Sequence, residues 1–455
     1  MAMTSTLLQS SSLRSLNAPT LHRLPNGLTI IAEQMAVDAV NLDIWLNVGS
    51  AVEPDAINGM AHFLEHMIFK GTDRLKSGEF ERLIEQRGAV TNAATSQDYT
   101  HYFITTAPKD FVALAPLQID VVMNARIPED GFERERQVVL EEIRRSQDNP
   151  RRRTFHRATE LTFEQLPYRR HVLGPASVIE QLTAQQMRDF HAHWYRPQSI
   201  TAVAVGNLPV EQLIQIVADG FEQAGWGTDS NPAGWNQTLA EGLPAFASSL
   251  VPQTASLSPE LPFDQVVRRE FVDESLQQAR LVMTWRVPGL NSLQETYGLD
   301  VLASILGQGR TSRLVQDLRE KRGLVSAISA SNMSYQYQGA FYISASLPAQ
   351  HLAEVEEIII QHIQALQNGL ITEAEISRVR ARVANQFIFG GETPSDRSGL
   401  YGYYHSLVGD LVPALNYPAQ IQALTAEDLR LAAQTYLNPE AYGVVAIRPE
   451  APQIN

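Results

Sequence analysis

The chain has 455 residues, with 36 Lys and Arg against 50 Asp and Glu, so its formal net charge at pH 7 is −14. A hydrophobic share of 44% and a charged share of 19% are ordinary for folded protein and exclude a wholly disordered, collagen-like or coiled-coil chain. The chain has no cysteine, which excludes a disulfide scaffold, a thiol nucleophile and a thiolate metal site. The acidic balance argues against nucleic-acid or anionic-membrane binding. No apolar run approaches the roughly 20 residues that a membrane-spanning helix needs.

Residues 1–20 are predicted to form a mobile N-terminal tail. The stretch is rich in Ser, contains Arg14, and precedes the first acidic residue of the chain, Glu33. Organellar transit peptides share this composition, whereas the apolar core of a secretory signal is missing. We therefore expect a cytoplasmic bacterial protein, with an organelle interior as the alternative if the tail is a transit peptide. Both compartments are reducing, which suits a chain without cysteine.

Strands and helices are predicted to alternate irregularly through the first half. Asn26-Gly27 is typical of a tight turn, and the Thr-, Tyr- and Phe-rich stretch 90–106 favours a hairpin. Asn149-Pro150 is expected to end a long helix, because the residue before a proline avoids the helical region. The remaining predicted elements are strands over 28–32 and 41–48, a helix from Gly59, and helices over 79–87, 109–125 and 129–147.

A repeated pattern indicates that the chain consists of two similar halves. Leu182-Thr183-Ala184 opens a predicted helix followed by the apolar strand SITAVAV, and Leu424-Thr425-Ala426 opens a second helix followed by the strand AYGVVAI. The separation of the two copies is too long for a solenoid repeat and suits a duplicated domain.

The segment between the halves has the composition of a linker. Residues 227–263 lose hydrophobic periodicity and are rich in Pro, Ser, Gly and Ala. We therefore predict a catalytic N-terminal domain over 21–226, a linker over 227–263 and a homologous C-terminal domain over 264–455. The irregular alternation within each half favours an α+β fold with largely antiparallel sheets over a doubly wound parallel fold.

The segment His62-Phe63-Leu64-Glu65-His66 carries the clearest chemical signal. Positions i and i+4 of a helix lie on one face, so His62 and His66 can direct two imidazoles at one ion. Glu65 lies close to that face and offers a carboxylate within reach of a water bound to the ion. Catalytic zinc usually takes three protein ligands and keeps a fourth position open for water. A third ligand is therefore required from elsewhere in the chain.

The long helix over 129–147 offers candidates for the third ligand. Glu135 and Glu142 are two turns apart and share one face. Spacing alone leaves the neighbouring Glu141 open as the ligand instead of Glu142. Three apolar residues are expected on the buried side of this helix: Val138, Val139 and Ile143.

These residues resemble the signature of the pitrilysin family of inverzincin zinc metallopeptidases, in which H-x-x-E-H reverses the thermolysin-type H-E-x-x-H. The family includes insulin-degrading enzyme, mitochondrial processing peptidase and bacterial processing peptidases. Its third ligand is a Glu in a later helix, and Glu142 follows His66 by about 75 residues in the matching context VVLEEI. The resemblance implies one zinc ion per chain held by His62, His66 and Glu142. It also implies Glu65 as the catalytic base and Glu135 in a supporting catalytic role.

The resemblance extends to a substrate-binding strand and to the second half. Asn92, Ala93 and Ala94 resemble the family's edge strand, whose main chain pairs with an extended peptide. Arg319, in the segment LREKRGLV, matches an Arg that reaches the substrate. No His occurs between His193 and His351, so the second half has no counterpart of the metal motif.

The second half also departs from the family pattern. A Tyr usually follows the substrate-binding Arg by seven residues, and Ser326 occupies that position. We expect that Tyr335 or Tyr337 compensates, or that a partner chain supplies the Arg and Tyr pair. The resemblance implies that chains of this length form a homodimer, or a heterodimer with a homologous chain.

The sequence therefore predicts a zinc metalloendopeptidase with two homologous α+β domains that face each other like half-shells. It would hydrolyse peptides or unfolded segments inside an enclosed chamber, with zinc-bound water activated by Glu65. One alternative is the zinc-bearing subunit of an obligate heterodimeric processing peptidase, and a less favoured one is a noncatalytic structural relative. A cluster of basic residues is expected to be a solvated helix end instead of an anion site: Arg144, Arg145, Arg151, Arg152 and Arg153.

Overall fold

The computed structural model describes residues 18–227, 257–369 and 371–450. Two sheets organise these residues. The strands of the first half are β1 Thr20–Arg23, β2 Thr29–Gln34, β3 Val40–Leu46, β4 Val90–Thr95, β5 Thr100–Thr106 and β6 Ile200–Gly206. Those of the second half are β7 Val267–Val272, β8 Ala279–Pro288, β9 Ala327–Ser334, β10 Gln338–Leu347 and β11 Gly443–Arg448.

Helices cover both sheets. Those of the first half are α1 Met60–Ile68, α2 Glu79–Gln86, α3 Pro108–Met123, α4 Glu129–Asp148, α5 Pro150–Thr162, α6 Ala176–Ile179, α7 Ala184–Trp194 and α8 Val210–Gln223. Those of the second half are α9 Leu293–Gly307, α10 Leu352–Gln367, α11 Glu373–Phe389, α12 Pro394–Val408, α13 Val412–Ala423 and α14 Ala426–Tyr436. Residues Val315–Lys321 form a π-helix. Among the described residues, no helix combines the length and the hydrophobicity that a membrane-spanning segment requires.

The two sheets share one strand order, which confirms the duplication. The first sheet runs β1-β2-β6-β3-β5-β4 and the second β7-β11-β8-β10-β9, so the second repeats the order of the first without β1. Each sheet has one parallel pair, β2 with β6 and β7 with β11, and the other neighbours are antiparallel. The prediction of two homologous α+β halves with largely antiparallel sheets is therefore confirmed.

The repeated pattern seen in the sequence corresponds to two equivalent capped helices. Thr183 and Gln186 form a capping box at the start of α7, and Thr425 and Asp428 form one at the start of α14. A capping box satisfies two of the backbone N–H groups that a helix start leaves without partners. Each helix is followed by the central parallel strand of its sheet, β6 or β11.

The two halves exchange one helix each. Helix α5, from the first half, packs on β8 and β11 of the second sheet, whereas α12, from the second half, packs on β3 and β6 of the first sheet. Both helices begin with a capping residue and a proline, Asn149-Pro150 and Thr393-Pro394. Each sheet therefore has its own helices on one face and a helix of the other half on the opposite face, so β6 is buried along its whole length.

One expectation about α4 is confirmed and another is wrong. Asn149-Pro150 does end α4 as predicted, but α5 begins at once, because the Asn149 side chain accepts hydrogen bonds from the backbone N–H groups of Arg151 and Arg152. The placement of Val138 on the buried side was wrong, since its side chain is 50% exposed, while Val139 and Ile143 are buried. The predicted tail over 1–20 and linker over 227–263 lie largely outside the described residues.

Candidate metal centre

The start of α1 is fixed by a buried carboxylate. Gly59 adopts a left-handed conformation with φ of 100°, so a glycine is favoured there. One oxygen of Glu53 accepts hydrogen bonds from the Gly59 backbone N–H (2.8 Å) and Asn58 Nδ2 (2.9 Å), and the other from the Ala61 backbone N–H (2.7 Å). Burial raises the pKa of Glu53, although the hydrogen bonds from Ala61, Asn58 and Gly59 oppose that rise. Glu53 thus satisfies N–H groups that the helix cannot, and sets the position of the two histidines that follow.

His62 and His66 converge with Glu142 of α4 on one point. The imidazole centroids are 4.9 Å apart. Oε2 of Glu142 lies 3.4 Å from His62 Nε2 and 3.6 Å from His66 Nε2. The three candidate ligand atoms all lie within 4.8 Å of one another.

This arrangement fits a zinc ion. Zinc bonds to nitrogen and oxygen ligands are about 2.0 to 2.2 Å long, and tetrahedral geometry then places two ligand atoms roughly 3.4 Å apart. The distances from Glu142 Oε2 to the two imidazole nitrogens match that value. Two imidazoles and one carboxylate leave the fourth position free for water or substrate.

The electrostatics favour an ionised carboxylate beside the two imidazoles. Hydrogen bonding with His62 and His66 holds the pKa of Glu142 far below its usual range. Burial lowers the pKa of His66, but its contacts with Glu142 and Glu135 outweigh burial, so the net effect is a raised pKa.

Glu141, the alternative ligand, points away from the centre. Its carboxylate accepts hydrogen bonds from the guanidinium groups of Arg144 and Arg145, the second at 3.0 Å. These are the i,i+3 and i,i+4 pairs of an exposed helix face. Of the two neighbouring carboxylates, the structure brings Glu142 to the histidines.

Glu135 contacts Nδ1 of His66, the ring nitrogen that does not face Glu142. Its Oε1 lies 3.0 Å from His66 Nδ1, and its Oε2 lies 2.7 Å from Lys70 Nζ. Burial raises the pKa of Glu135, but the hydrogen bonds with Lys70 and His66 more than offset this and lower it overall. An ionised Glu135 keeps a proton on Nδ1 and leaves Nε2 of His66 free to bind a metal.

Glu65 lies next to the edge strand β4. Its Oε2 accepts a hydrogen bond of 2.5 Å from the hydroxyl of Thr95, the last residue of β4. Thr100, at the start of β5, donates its own hydroxyl to the Val48 carbonyl oxygen at 2.7 Å. The β4–β5 hairpin therefore holds the Glu65 carboxylate in place.

The residues expected to bind substrate lie at the edge of the first sheet. Strand β4 is terminal in the strand order, so one side of its main chain has no strand beside it. Asn92 and Ala94 are exposed, and Ala93 is half-buried. The Asn92 side-chain oxygen accepts a hydrogen bond from the Ala93 backbone N–H at 2.9 Å.

The second-half residues fall in different surroundings. Arg319 is exposed on the π-helix and makes no side-chain hydrogen bond or ion pair with any described residue. Ser326 is exposed and donates a hydrogen bond from its hydroxyl to Gln278 Oε1. Tyr335, by contrast, is buried and stacks on Tyr168, with ring centroids 4.4 Å apart, and the Tyr337 backbone N–H donates to the Tyr168 hydroxyl. The suggestion that Tyr335 compensates for Ser326 is therefore wrong, because its ring is enclosed between the two halves.

Sequence reasoning missed three supporting residues, Glu53, Lys70 and Thr95. Glu53 contacts the start of α1, Lys70 contacts Glu135, and Thr95 contacts Glu65. Each contact joins residues from different parts of the chain. Lys70 had a local signal, since it lies four residues after His66, but α1 ends at Ile68 and helical spacing does not extend to it.

The chain matches two family models. Residues 29–176 match the model described as insulinase, peptidase family M16, and residues 181–383 match the one described as the peptidase M16 inactive domain. The three candidate metal ligands all lie within the first match. Arg319 lies within the second.

Known proteins are similar along nearly the whole chain. An uncharacterized zinc protease of Mycobacterium tuberculosis is 27% identical over 95% of this chain and 93% of its own length. The zinc protease PqqE of Helicobacter pylori is 26% identical over 94% of this chain and 92% of its own length.

Solved structures share the fold. The crystal structure of a protease from Helicobacter pylori superposes with a TM-score of 0.84 at 26% identity, covering 95% of this chain and 99% of that one. The peptidase M16 inactive domain from Pseudomonas fluorescens superposes with a TM-score of 0.78, covering 96% of this chain and all of that one. Its identity of 19% makes this second match a likeness of fold alone.

Proposed function

The chain belongs to the insulinase family of peptidases, M16, and on that premise we propose that it is a zinc metalloendopeptidase that hydrolyses peptides or extended polypeptide segments. The observation that carries the proposal is the convergence of His62, His66 and Glu142 with ligand separations that suit a tetrahedral ion. The similar proteins of Mycobacterium tuberculosis and Helicobacter pylori are named zinc proteases, which supports it.

His62, His66 and Glu142 would hold the metal. When bound, zinc acts as a Lewis acid that acidifies water and polarises the scissile carbonyl group. Glu65 takes a proton from the attacking water and delivers it to the leaving amine. Thr95 holds the Glu65 carboxylate in position through its hydroxyl. Glu135, ionised by Lys70, fixes the orientation of the His66 ring.

The free edge of β4 would align the substrate. A peptide added beside β4 forms main-chain hydrogen bonds with little regard to its side chains, which suits an enzyme that accepts many sequences. Asn92, Ala93 and Ala94 lie on this strand, which ends at Thr95 and so leads directly to Glu65. The strand therefore offers a direct path for the scissile bond to the base.

Assembly is part of the proposal. Two homologous halves suit an enclosed chamber that admits only peptides and unfolded segments, and a dimer would enclose it further. Arg319 is free to contact a substrate, whereas Ser326 cannot supply the phenol that the family pattern has there. If that phenol is essential, Tyr337 or a homologous partner chain supplies it, and in the second case the protein is the metal-bearing subunit of a heterodimeric processing peptidase.

Three variants test the metal centre. Glu142→Gln removes the third ligand, and Glu141→Gln makes the same change on the neighbouring exposed carboxylate. We expect Glu142→Gln to lose zinc binding and peptide cleavage, and Glu141→Gln to keep both. Glu65→Gln should bind zinc like the unmodified protein and lose cleavage by at least about a hundredfold.

Cleavage of a fluorogenic peptide library, with metal content measured on the same samples, gives the readout. Chelator-sensitive cleavage that Glu65→Gln abolishes supports a self-sufficient peptidase. A zinc-loaded protein that cleaves nothing by itself favours the heterodimer. A protein that binds no zinc at this centre contradicts the proposal.

A further inference from the structure

A basic pocket of about 280 Å³ lies beside the metal centre. It is bounded by the last turns of α4, the first turns of α5 and the loop over 169–175. Ile143, which follows Glu142 directly, lines it. Asn58 lines it too, and its side chain donates hydrogen bonds to Glu53, which holds the start of α1, and to the backbone carbonyl of His171. The pocket is therefore close to the site of the reaction.

Positive charge dominates the lining. Four arginines line the pocket, against one carboxylate, that of Glu160: Arg152, Arg153, Arg169 and Arg170. The Glu160 carboxylate is paired with His156, whose Nε2 lies 3.3 Å away. The chain as a whole has a net charge of −14, so this pocket differs in sign from the rest of the molecule. A local excess of positive charge attracts anions.

Three of the four arginines are held by carboxylates that do not line the pocket. Arg169 and Arg170 both bind Asp55, at 3.0 and 2.8 Å, and Arg153 binds Asp273. Arg152 differs, because it is exposed and its side chain makes no hydrogen bond or ion pair with any described residue. It is therefore the guanidinium that is free to bind a ligand.

His171 adds a neutral donor. Its Nδ1 accepts a hydrogen bond of 3.1 Å from the Leu173 backbone N–H, so the ring hydrogen is on Nε2. Burial and the nearby charges of His156, His62 and Arg152 lower the pKa of His171 to about 4, so the ring is neutral at physiological pH. Arg152 and His171 together offer a cation and an N–H donor to one anion.

We propose that this basic pocket binds a carboxylate of the peptide substrate close to the scissile bond. The inference rests on the proposed peptidase function, since that function brings peptides to this place. The carboxylate is either the side chain of an Asp or Glu or the free C-terminus of a short peptide. A guanidinium pairs with both in the same geometry.

Binding to a protein that cannot cleave separates this proposal from the proposed function. Labelled ten-residue peptides are titrated into Glu65→Gln protein as purified and again after chelation, because a bound metal could itself attract a carboxylate. One arm compares Glu with Gln at successive internal positions, with an amidated C-terminus throughout. The other arm compares a free with an amidated C-terminus, with Gln inside.

We expect the carboxylate form to bind about three- to tenfold more tightly than its amide counterpart in at least one arm, with and without chelation. Arg152→Gln should bring that ratio close to one, Arg152→Lys should retain most of it, and Arg152→Glu should reverse it. Arg82 is exposed on α2, so Arg82→Gln removes the same charge elsewhere and should leave the ratio unchanged. Added salt should weaken the preference.

The arm that shows the preference identifies the source of the carboxylate. A ratio of one in both arms would overturn the proposal, and so would a preference that survives both Arg152→Gln and Arg152→Glu. A preference that chelation abolishes belongs to the metal and would overturn it as well. Circular dichroism of each variant checks that the fold is intact. Because no cleavage is involved, a protein without peptidase activity would still give a decisive result.

Discussion

At the residue scale, the metal centre depends on the contacts that its ligands make with other residues. His66 is held by Glu135, and Glu135 by Lys70. Partners of this kind fix the ring orientation of a metal-binding histidine, and their loss typically costs about 10- to 100-fold in metal affinity. The ligands alone therefore do not define the site.

Lys70→Met should weaken zinc binding about tenfold, because Glu135 loses the cation that keeps it ionised and oriented. Competition with a chromogenic chelator measures the affinity. Lys76→Met provides the control, since Lys76 is exposed in the following loop. Equal zinc affinity in the two variants would contradict the role given to Lys70.

Helical spacing predicted part of this site and could not predict the rest. It placed His62 and His66 on one face, and the family resemblance singled out Glu142. Glu53 and Thr95 could not be found this way, because each contacts α1 from a separate loop or strand. Val138 was misplaced because periodicity marks an apolar face without showing whether another element covers it.

At the element scale, the packing of the exchanged helix α12 on the first sheet requires a close approach between the two. A Cβ atom at Gly402, in α12, would overlap the indole ring of Trp45 in β3, so only glycine allows this approach. Gly399, in the same helix, has nothing within 4 Å of such an atom. Replacing each glycine by alanine should therefore change the stability of the protein in different ways.

Gly402→Ala should destabilise the protein by about 1 to 3 kcal/mol, because the added methyl group forces the helix away from the sheet. Gly399→Ala should be neutral or stabilise by up to about 1 kcal/mol, since alanine is the better helix former. Urea unfolding measures both. A loss of stability at Gly399 as large as that at Gly402 would show that packing against Trp45 is not the cause.

A buried carboxylate joins elements of the two halves. Asp98 accepts hydrogen bonds from the Tyr168 hydroxyl and the Gln336 backbone N–H, each at 2.9 Å. Burial raises the pKa of Asp98 to about 6, although both hydrogen bonds oppose the rise. Its pKa is therefore higher in the folded than in the unfolded protein.

The pH dependence of stability follows from that difference. The folded protein binds the Asp98 proton more tightly, so this group adds stability as the pH falls from about 6 to about 4 and loses it as the pH rises. Asp98→Asn should lack this contribution, which has a slope of at most about 1.4 kcal/mol per pH unit. Urea unfolding at several pH values tests it, and identical profiles for the two proteins would contradict it.

At the scale of the whole molecule, the halves share one strand order but are not independent. The sequence predicted two domains from the repeated helix starts at Thr183 and Thr425. It could not predict the exchange of α5 and α12, because an apolar helix face does not specify which sheet it covers. That choice depends on contacts between residues far apart in the chain.

Separate fragments over 1–226 and 264–455 should not fold alone. The first would expose the face of its sheet that α12 covers, together with the apolar face of α5. We expect each fragment to aggregate when expressed alone, and the two to form a soluble complex when expressed together. Circular dichroism and size-exclusion chromatography measure this. A fragment that folds alone would show that the exchange is dispensable.

The exchange of helices also affects how folding depends on concentration. A chain of half this length that folded in the same way would need a second copy to provide the missing helix, so its folding would weaken on dilution. When both halves belong to one polypeptide, each sheet receives its missing helix from the same chain. The association of the two halves is then an intramolecular step. The exchange of helices within one chain therefore adds no dependence of stability on protein concentration.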